Sequence, residues 1–280
     1  MIPIIAVQAA ALSGTHISKY VNVLDPATGK KKLIVDDALV PDYSVFDYRS
    51  LLHVPFETIV DGALDAIAHT VEVYFNIGKE YNQMLDELVK LVISLVFVNL
   101  PKLAADRTDI VALEAIAAAA DLGGYAIMLG GTSGAHLTSF SLADILPHGI
   151  ASFLMNPYYI MSYRYQITRQ LACLEQILND LGFVSSLNQN TKERALAVGR
   201  AFLSVLTSLN LPTRLKDVEN FSNKHLQNIR ESFYDPLLAM KIENMPIRIP
   251  ESSIGQYMEN VHTAAVEGRL DMVDAIGDPI

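Results

Sequence analysis

Asp65 and His69 lie four residues apart, and His136 and His148 follow further along the chain, the last within Pro147-His148-Gly149. One carboxylate and three imidazoles are a credible ligand set for a single divalent metal. Carboxylate with imidazole suits Zn2+ or Fe2+, whereas Ca2+ and Mg2+ prefer shells built from oxygen alone. A spacing of four puts Asp65 and His69 one turn apart on the same face of a helix, so both side chains reach one point outside it. The pair alone is a weak signal, because surface helices carry Asp-x-x-x-His by chance; the four residues together are the stronger one. Glu72 shares the face, three residues after His69. It either accepts a hydrogen bond from behind a ligand imidazole or serves as a salt bridge or cap.

These residues need helices to hold them, and the pattern supplies helices from Pro55 onward. Apolar residues recur at helical spacing and predict helices near Phe56 to Phe75, Tyr81 to Phe97, Ile110 to Gly123, His148 to Tyr163, Lys192 to Leu209, His225 to Phe233 and Ile254 to Glu267. Before Pro55 the chain reads as strands and loops. Ile2 to Val7 is a compact apolar run, Tyr20 to Leu24 and Lys32 to Val35 flank the turn signal Asp25-Pro26-Ala27-Thr28-Gly29, and Val45-Phe46 adds a short strand. So few strand residues cannot cover both faces of a sheet.

The 280 residues are 51% hydrophobic, enough for a substantial core. The net charge of -10, from 21 basic and 31 acidic residues, argues against a nucleic-acid binder, which needs clustered Lys and Arg. The basic run Lys30-Lys31-Lys32 reads as a hairpin edge. A single cysteine, Cys173, excludes an intrachain disulfide framework and fits a structural residue in a reducing cytoplasm. Leu88 to Leu100 is too short to cross a bilayer, and Ala112 to Gly131 is interrupted by Glu114, Asp121 and paired glycines, so no membrane helix is expected. The N-terminus has no basic leader or cleavage pattern.

The series Asp65-Ala66-Ile67-Ala68-His69-Thr70-Val71-Glu72, Gly134-Ala135-His136 and Pro147-His148-Gly149 resembles the helical domain of iron-containing (group III) alcohol dehydrogenases. Ala6 to Asp25 resembles that family's strand, phosphate loop and following strand, and Leu211 to Leu215 and Lys241 to Pro246 resemble its C-terminal signposts. The resemblance implies a mainly α fold: residues 1–50 as a β-rich remnant of an α/β dinucleotide-binding domain, and residues 51–280 as an all-α metal-binding catalytic domain. It implies Fe2+, with Zn2+ able to compete, held by Asp65, His69, His136 and His148. It further implies NAD or NADP, small alcohols and aldehydes interconverted by hydride transfer, and a homodimer. Ser13, Gly14 and Thr15 keep part of the cofactor loop.

Three departures accompany the match. The family's G-G-G-S-x-x-D segment is not found in these residues, which points to an N-terminal dinucleotide-binding partner chain or an incomplete enzyme. Where the family reads P-T-T-A-G-T-G-S, this chain has Gln8-Ala9-Ala10-Ala11-Leu12-Ser13-Gly14-Thr15. A histidine that many members carry four residues after the third ligand is Phe140, which narrows the substrate pocket and cannot relay a proton, so no catalytic residue is assigned beyond the metal site. The altered loop favours an alternative: a non-catalytic metal-binding helical protein, or a split-enzyme subunit. Superfamily relatives acting on phosphorylated or polyol substrates are disfavoured by sparse Lys and Arg near the metal motifs. His16, His53, His225 and His262 are read as surface or satisfied polar residues. Asp61 either caps the ligand helix or faces the cleft, and Tyr158, Tyr159, Tyr163 and Tyr165 are read as core and interface.

Overall fold

A computed structural model describes residues 3–10, 14–24, 31–77 and 82–276. Ten helices carry most of them. These are α1 (Phe56–Asn76), α2 (Asn82–Ala105), α3 (Ile110–Leu129), α4 (Gly134–Phe140), α5 (His148–Tyr163), α6 (Thr168–Asp180), α7 (Thr191–Ser208), α8 (Asn223–Ser232), α9 (Ala239–Glu243) and α10 (Glu251–Glu267). The strands are β1 (Ile5–Val7), β2 (Tyr20–Leu24), β3 (Lys31–Val35) and β4 (Tyr43–Val45). β1 pairs with β4 in parallel, Ala6 opposite Ser44. β2 and β3 form an antiparallel hairpin with Tyr20 opposite Val35. The turn signal at Asp25 to Gly29 lies outside the described residues. The mainly α class expected from the sequence is the class observed.

α1 is the axis of the molecule. Every residue from Gly62 to Phe75 is buried, Asp65, His69 and Glu72 among them, and most of the others are apolar. A helix apolar on nearly all sides belongs in a core, and α1 packs against α2, α3 and α5. Two glycines set the closeness of this packing. A Cβ on Gly123 would lie 2.6 Å from the Ala66 Cα, and one on Gly149 would lie 2.0 Å from the Asp61 carbonyl oxygen and 2.7 Å from the Asp65 Cβ. The missing side chain of Gly149 therefore lets the start of α5 rest on the turn of α1 that bears Asp65.

α3 runs on past the paired glycines to Leu129, whereas the spacing predicts a helix ending near Gly123. Gly123 and Gly124 are contact points: Gly123 meets α1, and Gly124 meets Gly14, which adopts φ 65°. Asp121, on the same helix, ties down the N-terminal residues. Its carboxylate accepts hydrogen bonds from Gln8 Nε2 at 2.7 Å and the Tyr48 hydroxyl at 2.6 Å, with His16 Nε2 3.0 Å away.

α2 and α3 are long and apolar enough to cross a membrane by length and composition. This corrects the expectation that the stretch around Leu88 to Leu100 is too short, since the helix extends well beyond it at both ends. In the fold α3 packs against both α1 and α2, and α2 contains Pro101. α4, α6 and α9 were not anticipated. α4 and α9 are too short for a helical period to register, whereas α6 is amphipathic and its period is present in the sequence. Tyr158, Tyr159 and Tyr163 are core residues, whereas Tyr165 is exposed beneath the Arg164 guanidinium.

Candidate metal centre

Three helices deliver the four residues that the sequence singled out. Asp65 and His69 come from successive turns of α1, His136 from α4 and His148 from the first turn of α5. Asp65 Oδ1 is the meeting point. It lies 3.3 Å from His136 Nε2, 3.6 Å from His69 Nε2 and 4.0 Å from His148 Nε2. Donor atoms of Asp65, His136 and His148 all fall within 4.8 Å of one another. His69 is not part of that mutual set, but it stacks on the His136 ring at 4.7 Å.

Two of the three imidazoles are oriented from behind. His136 Nδ1 is 2.5 Å from Glu72 Oε1, so the ring donates there and its Nε2 lone pair faces Asp65. Glu72 uses its other oxygen to accept from the Ser133 backbone N–H at 2.6 Å and the Ser133 hydroxyl at 3.0 Å. Ser139 donates its hydroxyl proton to the His136 carbonyl at 2.7 Å, which leaves its oxygen to accept from His148 Nδ1 at 3.0 Å. That bond turns His148 Nε2 inward as well. Of the two roles open to Glu72 from sequence, the bond to an imidazole is the observed one.

Asp61 takes a position that neither sequence alternative described. Pro147, the residue before α5, has no side-chain cap bond, and Asp61 Oδ1 accepts from the Ile150 N–H at 2.9 Å instead. α1 thus caps α5, satisfying an N–H that a helix start leaves open. His148 is fixed beside Asp65 by this bond and by the contact at Gly149.

Asp65 Oδ1, His136 Nε2 and His69 Nδ1 are buried without a hydrogen-bond partner among the described residues. A carboxylate oxygen and an imidazole nitrogen 3.3 Å apart in a buried site need a positive charge between them, a proton on the ring or a metal ion. Donors each about 2.1 Å from a shared tetrahedral ion would sit roughly 3.4 Å apart, close to the spacings around Asp65. On both tests the residues fit a divalent cation.

The electrostatics of Asp65 and His69 suit a cation site, whereas burial of His136 is outweighed by Glu72 and Asp65, which raise its pKa and favour a proton on that ring when no ion is present. Burial opposes charge on Asp65, but the facing imidazoles of His69, His148 and His136 outweigh it and hold the carboxyl below its ordinary range. Burial drives His69 down to about 4, against the pull of Asp65, so the ring is neutral and able to donate a lone pair. Burial likewise opposes charge on Glu72, and His136 and Ser133 reverse the effect and keep it ionised.

Lys241, on α9, completes the surroundings. Its ammonium donates to Thr132 Oγ1 and lies 5.5 Å from the centre of the Phe140 ring, which stacks on His148 at 5.7 Å. Asn244 donates to the Thr132 carbonyl at 3.1 Å and Asn76 to the Gly131 carbonyl at 2.8 Å, which pins the segment leading into α4. Lys241 and Asn244 belong to a segment the sequence marked, but nothing in their spacing placed them at the metal residues.

The other marked residues lie elsewhere. Gly14 is buried against Gly124, Thr15 is exposed at the start of a short 3-10 turn, and Ser13 lies outside the described residues. His225 closes the capping box of α8 with Ser222. His262 is buried with Thr138 and the Tyr159 hydroxyl, both 3.3 Å from its Nε2, and His53 is exposed.

Residues 59–241 match the model of the Fe-containing alcohol dehydrogenase family, C-terminal. Among characterised proteins, the chain is 24% identical over 182 residues to the NAD-dependent methanol dehydrogenase of Bacillus methanolicus, covering 64% of this chain and 47% of that one. It is 25% identical over 236 residues to an alcohol dehydrogenase of Thermococcus barophilus, covering 84% and 59%. The alcohol dehydrogenase from Oenococcus oeni superposes with a TM-score of 0.78 at 20% identity, over 94% of this chain and 66% of the other. The chain spans about half the length of the curated relatives it matches. The match runs through α1, α4 and α5, the three helices that converge on Asp65, and the chain belongs to the Fe-containing alcohol dehydrogenase family, within its C-terminal region.

Proposed function

We propose that this chain is the metal-binding half of an NAD(P)-dependent alcohol dehydrogenase, in which Asp65, His69, His136 and His148 hold Fe2+ or Zn2+ beside a small alcohol or aldehyde. The observation that carries this reading is the pair of orphaned buried atoms, Asp65 Oδ1 and His136 Nε2, 3.3 Å apart. A divalent ion supplies Lewis acidity toward an alcohol or carbonyl oxygen, and the nicotinamide supplies or accepts hydride. The protein's own part is orientation. Glu72 and Ser139 turn two imidazoles inward, and Asp61 fixes the start of α5. Phe140 has no exchangeable proton, so it walls the pocket and does not relay.

The dinucleotide is to be bound with residues beyond these 280, in the same polypeptide or in a partner chain. The paired strands β1 and β4 support this. A parallel ladder normally sits inside a larger sheet covered on both faces, yet here Ile5, Val7, Tyr43 and Val45 are exposed. Ser13, Gly14 and Thr15 would contribute the remaining part of a phosphate loop. We place the protein in the cytoplasm on the strength of its single, half-buried Cys173.

The test is metal stoichiometry followed by nucleotide binding. The chelator-stripped chain, titrated anaerobically with Fe2+ and separately with Zn2+, is expected to take up one equivalent, and Asp65→Ala and His136→Ala to abolish it. Failure of the native chain to hold a metal would overturn the reading. Metal uptake without NADH or NADPH binding, before and after supply of a dinucleotide-binding half, would favour the non-catalytic metal protein instead.

A further inference from the structure

Lys241 is a buried cation with very little to hold it. Its residue is 7% exposed, and its ammonium has one hydrogen-bond acceptor, Thr132 Oγ1, among the described residues. No carboxylate of the described residues lies within salt-bridge distance of it, although Asp65 and Glu72 are near enough to act on its charge. An ammonium can donate three hydrogen bonds, and a buried charge without a partner is costly. Two of its donors thus have no acceptor among the described residues, and the Phe140 ring, which stacks on His148, lies 5.5 Å away.

The charge of the site points the same way. With a divalent ion in place and the Lys241 amine protonated, the two together outweigh the carboxylates of Asp65 and Glu72 by one positive charge, in surroundings too buried for water to screen it. A neutral alcohol leaves that excess uncompensated. A substrate with its own negative charge compensates it.

We propose that Lys241 is the specificity-determining residue of the substrate pocket, and that the preferred substrate is a small alcohol or aldehyde bearing an anionic oxygen group, a carboxylate, sulfonate or phosphonate. This rests on the metal-site reading above for where the reacting carbon lies. Lys241 is remote in sequence from the ligand candidates and is brought near them by α9.

The test compares ligands matched in size. 3-Hydroxypropionate, 2-hydroxyethanesulfonate and 2-hydroxyethylphosphonate are titrated against 1,3-propanediol, using the visible absorption bands of the Co2+-loaded 280-residue chain and saturation-transfer NMR of the metal-free chain. At least one anion is expected to bind about tenfold or more tightly than the diol, the scale of a charge-assisted hydrogen bond, and the rank of the three identifies the group. Lys241→Met should remove that preference, and Lys241→Arg should restore most of it. Equal anion binding by native chain and Lys241→Met, or loss of diol and anion binding alike, would overturn the proposal and leave Lys241 a structural anchor for Thr132. If Co2+ is not held, the metal-site reading falls, and the NMR titrations still decide whether anion binding depends on Lys241.

Discussion

At the scale of single residues, the centre depends on groups that are not ligand candidates themselves but hold those that are. Glu72 receives hydrogen bonds from His136 and from both donors of Ser133, which needs acceptors on both oxygens. An amide has one acceptor oxygen, and its NH2 would face a donor. Glu72→Gln is therefore expected to weaken metal binding by roughly 10- to 100-fold, measured by competition with a chromogenic chelator; unchanged affinity would show that His136 needs no such support. Lys241 gives a pH signature in the metal-free chain. Burial lowers its folded-state pKa to about 8, against an ordinary 10.5. Because the unfolded chain then binds more protons between those values, the penalty is fully present below about 8 and is relieved as pH rises toward 10.5. The stability advantage of Lys241→Met over the native chain should shrink by roughly 3 kcal/mol between pH 7 and pH 10.5, read by urea denaturation. A constant difference would contradict the burial of a charged ammonium.

At the scale of elements, the site is made by the crossing of α1 and α5. Pro147-His148-Gly149 combines a residue that starts a helix, a ligand candidate and a residue with no side chain to hold the helices apart. Gly149→Ala places a methyl group against the Asp61 carbonyl and the Asp65 Cβ, neither of which can swing aside. It is expected to cost roughly 1–3 kcal/mol and to lower metal affinity at the same time. Gly199→Ala is the control, since its Cβ would meet the flexible end of Leu270. Equal behaviour of the two variants in denaturation and metal titration would argue against the crossing as the determinant. Of this arrangement the sequence displayed Pro147-His148-Gly149 as a unit. It could not display the cap from Asp61, because that bond joins residues 61 and 150 on different helices.

At the scale of the whole molecule, the helical part covers its own core while the N-terminal strands leave apolar surface outside. Ile5 and Tyr43, and Val7 and Val45, are register partners and share the exposed face. Exposed strand surface of this kind invites pairing. The purified chain is expected to associate with rising concentration in sedimentation velocity, and Val7→Lys with Tyr43→Lys to reduce that association. A monomer at all concentrations would mean that this face is tolerated in water. Asp121, which holds Gln8, Tyr48 and His16, is the point at which these residues are fastened to α3.

The ligand candidates and the mainly helical class were legible in the sequence for two physical reasons. Helical periodicity is written in local order, and Asp65 with His69 needs only one helix to share a face. His136 and His148 could be joined to that pair by resemblance and motif, but their distances could not, because α4 and α5 reach Asp65 only through packing on α1. Tertiary structure alone decided the inward turn of the imidazoles, the cap from Asp61 and the arrival of Lys241. Each is a contact between residues far apart in the chain, between elements whose separation is set by glycines and core packing and not by any spacing in the sequence.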